Sequence, residues 1–113
     1  NGFVIGISPI SSEIPVKFEL SQNYPNPFNP VTTIKFNIPY VVQRHAFDTK
    51  LSIYDALGRE VAILVNENLN PGIYSVDWPA RTGGNASNYP SGVYYYKLSA
   101  GDNTEAKKMV LVK

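Results

Sequence analysis

The sequence predicts an all-β protein, an immunoglobulin-like antiparallel β-sandwich of about seven strands. Its 8 Gly and 9 Pro recur at short intervals, so no apolar pattern of helical spacing runs for three turns without a break. Between the breaks, short segments alternate apolar and polar residues and are rich in β-branched and aromatic side chains, as strands are. A small closed barrel is the alternative arrangement of these strands.

The first 17 residues are expected to be a linker between domains, because Gly and Pro interrupt them and serines solvate them. An edge strand is the alternative structure for this segment. The chain begins at Asn1 without a methionine, which indicates a piece of a longer protein. Residues 18–113 are expected to form the sandwich.

The first part of the sandwich contains a proline-rich segment between two strands. Lys17–Ser21 is predicted to be a short strand, and Thr32–Ile38 alternates as a half-buried strand does. Between them, Tyr24–Pro30 contains three prolines, which fix φ and remove ladder donors. We therefore expect a rigid, extended edge or crossover that Tyr24 and Phe28 hold to the core.

A hairpin is predicted in the middle of the chain. Tyr40–Thr49 has no clear period and is expected to be a loop, followed by a strand at Lys50–Tyr54. Asp55–Gly58 has the residues of a tight turn, in which Gly58 takes the left-handed conformation. Glu60–Val65 is the return strand, rich in β-branched residues.

The second half of the chain begins with a turn of recognisable chemistry. Asn70–Ile73 is predicted to be a type II turn in which Gly72 supplies the positive φ. A strand follows at Ile73–Trp78 and a polar loop at Pro79–Ser91. The longest and most aromatic strand is predicted at Gly92–Ala100. A two-residue turn at Gly101–Asp102 then leads to a final strand at Thr104–Val112. The expected core is Ile34, Phe36, Ile53, Val61, Val76, Trp78 and one face of Tyr94–Leu98.

Composition excludes several classes of function. A net charge of +1 gives no field that holds a nucleic-acid backbone, so no nucleic-acid partner is expected. The chain has no cysteine and one histidine, His45, which excludes disulfides, thiolate metal sites and most catalytic triads. Its nine carboxylates are scattered without the paired spacing that a glycosidase needs. We therefore expect neither an enzyme nor a cofactor nor a metal site.

Two features point to binding instead. Tyr94, Tyr95 and Tyr96 alternate between the two faces of one strand, so at least one aromatic ring is exposed. An exposed ring could stack on a sugar or a base. We favour the other interpretation, in which the tyrosines pack against side chains of neighbouring strands. Lys107–Lys113 is an apolar strand between lysines and is expected on a sheet edge. There it either offers a template for strand addition or uses its lysines to block aggregation.

Several separated blocks resemble, in order and spacing, the C-terminal sorting domains of the type IX (Por) secretion system over about the last 96 residues. The blocks are Phe18–Pro30 with Thr33–Phe36, Ile53–Val61, Pro71–Tyr74 with Val76 and Trp78, Ser91–Leu98 and Lys108–Lys113. The resemblance implies an immunoglobulin-like domain that follows an upstream cargo and is recognised by the type IX translocon at the outer membrane. It further implies a secreted or cell-surface cargo and, commonly, removal of the domain by a surface sortase.

The resemblance also supplies candidate recognition residues. The positions that match the family's motifs are Pro71, Gly72, Gly92, Tyr94, Lys108, Val110, Val112 and Lys113. Sortase cleavage would fall in or near residues 1–17. The sequence departs from the family pattern in its longer Tyr40–Thr49 connection and at Pro79, where an Asp often follows the tryptophan.

Two other functions remain open. One is an immunoglobulin-like accessory module that binds carbohydrate or a protein partner through exposed tyrosines, Tyr95 among them. The other is a structural assembly domain that resembles the immunoglobulin-like part of flagellar hook-capping proteins and self-associates. A weak homodimer is accordingly among the expected partners.

Overall fold

The computed structural model describes residues 8–11, 15, 17–40, 46–79 and 89–113. These residues form eight strands, β1 (Ser8–Ser11), β2 (Glu19–Leu20), β3 (Thr32–Ile38), β4 (Phe47–Asp55), β5 (Glu60–Leu69), β6 (Gly72–Trp78), β7 (Gly92–Ala100) and β8 (Asn103–Leu111). Nowhere in these ranges is there a helix long and apolar enough to span a membrane.

The strands form two four-stranded antiparallel sheets, with strand orders β1-β6-β3-β2 and β5-β4-β7-β8. Apolar side chains from both sheets meet in one buried cluster. The predicted immunoglobulin-like sandwich is confirmed, with eight strands rather than seven. Strands β3 and β7 have the predicted bounds, and in both the side chains at every second position are buried.

The additional strand, β1, lies within the segment expected to be a linker. It pairs with β6 at the edge of its sheet, with Ser8 opposite Ser75 and Pro9 opposite Tyr74. The edge strand that the sequence allows as an alternative is therefore what these four residues form. The role of residues 1–17 as a linker stays a prediction.

The predicted loop at Tyr40–Thr49 is wrong over its last three residues, because β4 begins at Phe47. Phe47 pairs with Leu69, so β5 also runs four residues beyond its predicted end. Both extensions contain polar residues that interrupt the apolar pattern. In β4, Thr49 is buried and its hydroxyl donates to the Phe47 carbonyl at 2.9 Å. His45, in the same predicted loop, lies outside the described residues.

The predicted tight turn at Asp55–Gly58 is confirmed. Gly58 has φ +86°, and its N–H donates to the Asp55 carbonyl at 3.0 Å. The Asp55 carboxylate accepts the N–H groups of Leu57 and Arg59 at 3.0 and 2.9 Å. These hydrogen bonds, with that from Arg59 N–H contributing most, hold the pKa of Asp55 below its usual value.

The predicted type II turn at Asn70–Ile73 is wrong at Gly72, whose φ is not positive. Gly72 is instead the first residue of β6, opposite Ile38. A Cβ there would lie 3.4 Å from the Tyr74 ring. Of the predicted polar loop at Pro79–Ser91, residues 80–88 lie outside the described ranges.

Trp78 is the centre of the aromatic part of the core. Its ring lies 5.7 Å from Phe28, 4.8 Å from Tyr89 and 5.2 Å from Tyr94, measured between ring centroids. Every predicted core position is buried except Val61, which is half-buried.

The two aromatic residues of the proline-rich segment differ. Phe28 is 1% exposed, as predicted, whereas Tyr24 is 80% exposed, so the prediction that Tyr24 holds this segment to the core is wrong. Its backbone performs that role instead, through hydrogen bonds in both directions with Thr33.

Candidate recognition site

Six of the eight candidate residues lie at one end of the sandwich, where β7 begins and β8 ends. In the β7–β8 ladder, Gly92 is opposite Leu111, Val93 is opposite Val110 and Tyr95 is opposite Lys108. We call this the terminal end: Ser91–Tyr94 together with Lys108–Lys113. It is built around the Trp78 cluster, since Tyr94 belongs to both.

Tyr94 is a supporting residue of the terminal end and not part of its surface. Its side chain is 3% exposed, its ring packs against Trp78, and its hydroxyl donates to the Pro90 carbonyl at 2.7 Å. Burial, and then the nearby Asp55 carboxylate, raise the pKa of the Tyr94 phenol.

Gly92 sets the backbone path at the start of β7. Its φ is +151°, a conformation that residues with a Cβ rarely adopt, although no atom lies within 4 Å of the position a Cβ would occupy. The preceding residue, Ser91, accepts the N–H of Lys113 on its hydroxyl at 3.0 Å. The backbone path at Gly92 therefore leaves the Ser91 hydroxyl within hydrogen-bonding distance of the Lys113 N–H.

A segment from the beginning of the sandwich covers the outer edge of β8, and we call residues 20–28 the covering segment. Phe28 N–H donates to the Val110 carbonyl, and Val112 N–H donates to the Phe28 carbonyl, both at 2.9 Å. The Asn26 side chain accepts the Val110 N–H at 3.0 Å. The Gln22 amide donates to the Lys108 carbonyl at 2.8 Å.

These contacts decide between the two interpretations of the final strand. The predicted edge position of β8 is correct, because β8 is the last strand in its sheet. However, the Lys108 carbonyl, both backbone groups of Val110 and the Val112 N–H, which an added strand would pair with, are already bonded to the covering segment. Around Val110, β8 therefore presents side chains and not unpaired backbone to a partner.

The exposed side chains of the terminal end combine positive charge and apolar surface. Lys108 and Lys113 are exposed, Val112 is 47% exposed and Val110 is half-buried. Because their backbone is hydrogen-bonded to Phe28 and Ser91, Val112 and Lys113 stand at defined positions and do not form a free tail.

The other two candidates, Pro71 and Gly72, lie at the opposite end of the sandwich. In the β3–β6 ladder, Gly72 is opposite Ile38 while Trp78 is opposite Thr32. Gly72 and Trp78 are six positions apart along β6, a distance of roughly 20 Å. The eight residues therefore do not form one compact site.

Ionisable side chains of the described residues form ion pairs on the surface. No three His, Cys, Asp or Glu side chains among them are placed to hold a metal ion. Lys50 pairs with Glu60 at 3.3 Å on the surface. The nearby Ser52 hydroxyl and then the Lys50 ammonium lower the pKa of Glu60. The Ser52 Oγ atom is itself buried.

Sequence reasoning missed the residues that fix β8 in place: Gln22, Asn26 and Ser91. The available signal was the alternation of Asn and Pro in Tyr24–Pro30, since a segment without ladder donors needs side chains to bond a neighbouring strand. Nothing in the local pattern identifies β8 as that neighbour.

Comparison with known proteins gives one result. A family model described as the secretion system C-terminal sorting domain matches residues 22–113. No curated protein and no solved structure matches the chain. The matched range includes the covering segment from Gln22 onward and the whole terminal end.

Proposed function

Because the chain belongs to the family of type IX secretion C-terminal sorting domains, we propose that its terminal end is the surface that the translocon recognises at the outer membrane. The family is a class of sorting signals for secreted or cell-surface cargo, not a catalytic class. The finer proposal is that an upstream cargo passes through the translocon because a partner contacts Lys108, Val110, Val112 and Lys113.

The observation that carries this proposal is the hydrogen bonding of residues 112 and 113. Val112 bonds to Phe28, and Lys113 bonds to Ser91, so both residues depend on distant parts of the chain for their position. A partner that recognises these side chains therefore recognises the folded domain. Gly92 and Tyr94 contribute by shaping and supporting the surface.

Pro71 and Gly72 have a different role in this proposal. They lie at the opposite end of the sandwich, at the start of β6, and a partner that contacts Lys113 does not reach them unless it spans the domain. We propose that they act through the fold, because Gly72 lies against the Tyr74 ring.

Processing is the second part of the proposal. A surface sortase would cut in or near residues 1–17, which separate the cargo from the domain. A protease substrate must be extended and accessible. Because β1 is already paired with β6, we expect the cut to fall outside Ser8–Ser11. Amino-terminal sequencing of the released domain tests this, and a first residue beyond Leu20, the end of β2, would contradict it.

Point variants at the surface test recognition better than a truncation does. Deleting Val110–Lys113 is expected to leave the cargo in the periplasm, but it also removes buried Leu111 and the bonds to Phe28. Val112→Asp changes an exposed side chain instead, and should lower surface delivery of a fused reporter about ten-fold. Ile63→Asp is the matched control, since Ile63 on β5 is 48% exposed against 47% for Val112.

The measurement is the fraction of reporter on the cell surface, in a host with the type IX machinery, beside the thermal midpoint of each purified variant. Equal delivery by Val112→Asp and Ile63→Asp, with both folded, would overturn recognition at the terminal end. Failure of the unaltered fusion to leave the periplasm would overturn the sorting function itself.

A further inference from the structure

Tyr24 has the most exposed large hydrophobic side chain among the described residues, at 80%. Its backbone is nevertheless fixed, because its N–H donates to Thr33 at 3.0 Å and its carbonyl accepts the Thr33 N–H at 2.9 Å. Pro25 follows directly. Because this backbone is already paired and a tyrosine side chain has only two rotatable angles, the exposed ring loses little conformational freedom when it binds a ligand, which is the property of a binding anchor.

The Tyr24 side chain forms one wall of a half-open groove of about 500 Å³, lined also by Ser21, Gln22, Thr33 and Lys35. This volume lies within the roughly 300–1,000 Å³ typical of small-ligand sites.

The groove exists because Asn23, between Gln22 and Tyr24, turns inward. The Asn23 side chain donates to the Thr32 hydroxyl at 2.9 Å, and its N–H donates to the Tyr96 hydroxyl at 2.8 Å. Gln22 and Tyr24 consequently project outward on either side of it, above β3.

Two side chains that line the groove, Lys35 and Gln22, can still form an ion pair or accept a hydrogen bond. Lys35 forms no ion pair with any described residue, and it is the one charged side chain in the lining. Gln22 donates through its amide nitrogen, so its carbonyl oxygen remains to accept. Thr33 is already occupied, since its hydroxyl donates to Asp77 at 2.7 Å, and Asp77 itself does not line the groove.

We propose that this groove binds a saccharide that carries a carboxylate, such as a uronic acid unit. The face of Tyr24 stacks on the C–H face of the sugar ring, and the Lys35 ammonium pairs with the carboxylate. Ser21 and the Gln22 carbonyl are placed to bond sugar hydroxyl groups. A cationic ligand fits poorly because no carboxylate lines the groove, and one ammonium does not hold the successive phosphates of a nucleic acid.

The proposal does not rest on the proposed sorting function, because none of its lining residues belongs to the terminal end. It also differs from binding through Tyr95. Tyr95 is 42% exposed on the outer face of the other sheet, in a row between Tyr54 and Lys108. Tyr95 and the exposed Lys97 on the same strand thus form a matched tyrosine and lysine pair for control variants.

The test is isothermal titration of the purified domain with a polygalacturonate oligosaccharide and with a neutral glucan of equal length. We expect the glucan to bind at least about five-fold more weakly, and Tyr24→Ala to weaken polygalacturonate binding about ten-fold. Tyr24→Phe should keep the affinity, and Lys35→Gln should remove the preference for the acidic sugar. Tyr95→Ala and Lys97→Gln should change neither affinity.

Each opposite result overturns the assignment. Absence of saturable polygalacturonate binding removes the site. Equal binding of both saccharides removes the role of Lys35, and loss of binding on Tyr95→Ala but not on Tyr24→Ala moves the site to the other sheet. Folding does not complicate these outcomes, because the exposed Tyr24, Lys35, Tyr95 and Lys97 side chains contribute little to the core.

Discussion

The two ends of the sandwich are built in different ways. At the terminal end, the Trp78 cluster and the covering segment join parts of the chain that are far apart, such as Asn26 and Val110, whose sequence positions differ by 84. At the far end, the Gly101–Asp102 turn joins strands that are consecutive in sequence. The comparison teaches that long-range contacts to the Trp78 cluster and the covering segment fix the end of β8, whereas the far end combines a local turn with a hydrogen bond from the Gly101 N–H to the Asp48 carbonyl at 3.2 Å.

Replacing the central aromatic residue should give the largest effect on this comparison. Trp78→Ala removes the 2%-exposed ring that Phe28 and Tyr94 contact, and should lower the free energy of unfolding by about 3–5 kcal/mol. The far-end control is Tyr74→Ala, whose half-buried ring stacks on Phe36 and should cost about 2 kcal/mol. Urea denaturation measures both, and equal losses would contradict a terminal end centred on Trp78.

The anchor of the covering segment should give the next largest effect. The Tyr96 hydroxyl donates to the Ser21 carbonyl and accepts the Asn23 N–H, both at 2.8 Å. Tyr96→Phe leaves these two backbone groups without their partner and should cost about 2–3 kcal/mol. Tyr95→Phe, at an exposed position on the same strand, should cost almost nothing.

The same pair of variants predicts a pH dependence. Burial raises the pKa of Tyr96 to about 12, so its contribution to stability is complete below the unfolded-state pKa near 10. It is lost as the pH rises from about 10 to about 12, because only the unfolded tyrosine releases its proton in that interval. Unfolding free energies measured from pH 9 to 12 should fall less steeply for Tyr96→Phe than for Tyr95→Phe. Identical slopes would show that Tyr96 is not the buried titrating group.

Gly92 at the terminal end and Gly72 at the far end should also differ in how much stability an alanine substitution costs. Gly92→Ala should cost about 1–3 kcal/mol, because a φ of +151° strains any residue with a Cβ even though space is open. Gly72→Ala should cost less than about 1 kcal/mol, because Gly72 has no positive φ and its nearest neighbour is the Tyr74 ring at 3.4 Å. Thermal midpoints of both variants measure this, and the reverse order would contradict it.

The smallest expected effect is at the hydrogen bond from Val110 to Asn26. Asn26→Ala should cost about 0.5–1.5 kcal/mol and accelerate hydrogen exchange at the Val110 amide. Asn66→Ala, at an exposed position on the opposite edge strand β5, is the control and should leave that amide unchanged. Unchanged exchange at Val110 in Asn26→Ala would mean that the side chain does not protect this edge.

Local pattern predicted the strands well where burial alternates along them. Strands β3 and β7 had their bounds fixed by residues such as Ile34 and Phe36, or Tyr94 and Tyr96, at every second position. The beginning of β4 and the end of β5 were missed, because Thr49 is a buried polar residue and Asn66–Asn68 has little preference for strands.

The candidate site was predicted as a set of residues but not as a geometry. The motifs could not show that Pro71 and Gly72 lie far from Lys113, nor that Tyr94 is buried, because both facts follow from how the sheets pack. The exposure of Tyr24 was missed for a similar reason: its aromatic ring indicates burial, whereas its backbone pairing with Thr33 leaves the ring outside.

The covering segment has one more consequence, which concerns incomplete chains. Because Asn26 and Phe28 come early in the sandwich and Val110 and Val112 come late, neither group acquires its hydrogen-bond partners until both have been synthesised. A product that lacks either Asn26–Phe28 or Val110–Val112 has only one half of this junction and cannot assemble it. The junction is therefore a mark of a chain that contains both segments, and protection of the Val110 amide from hydrogen exchange would report it.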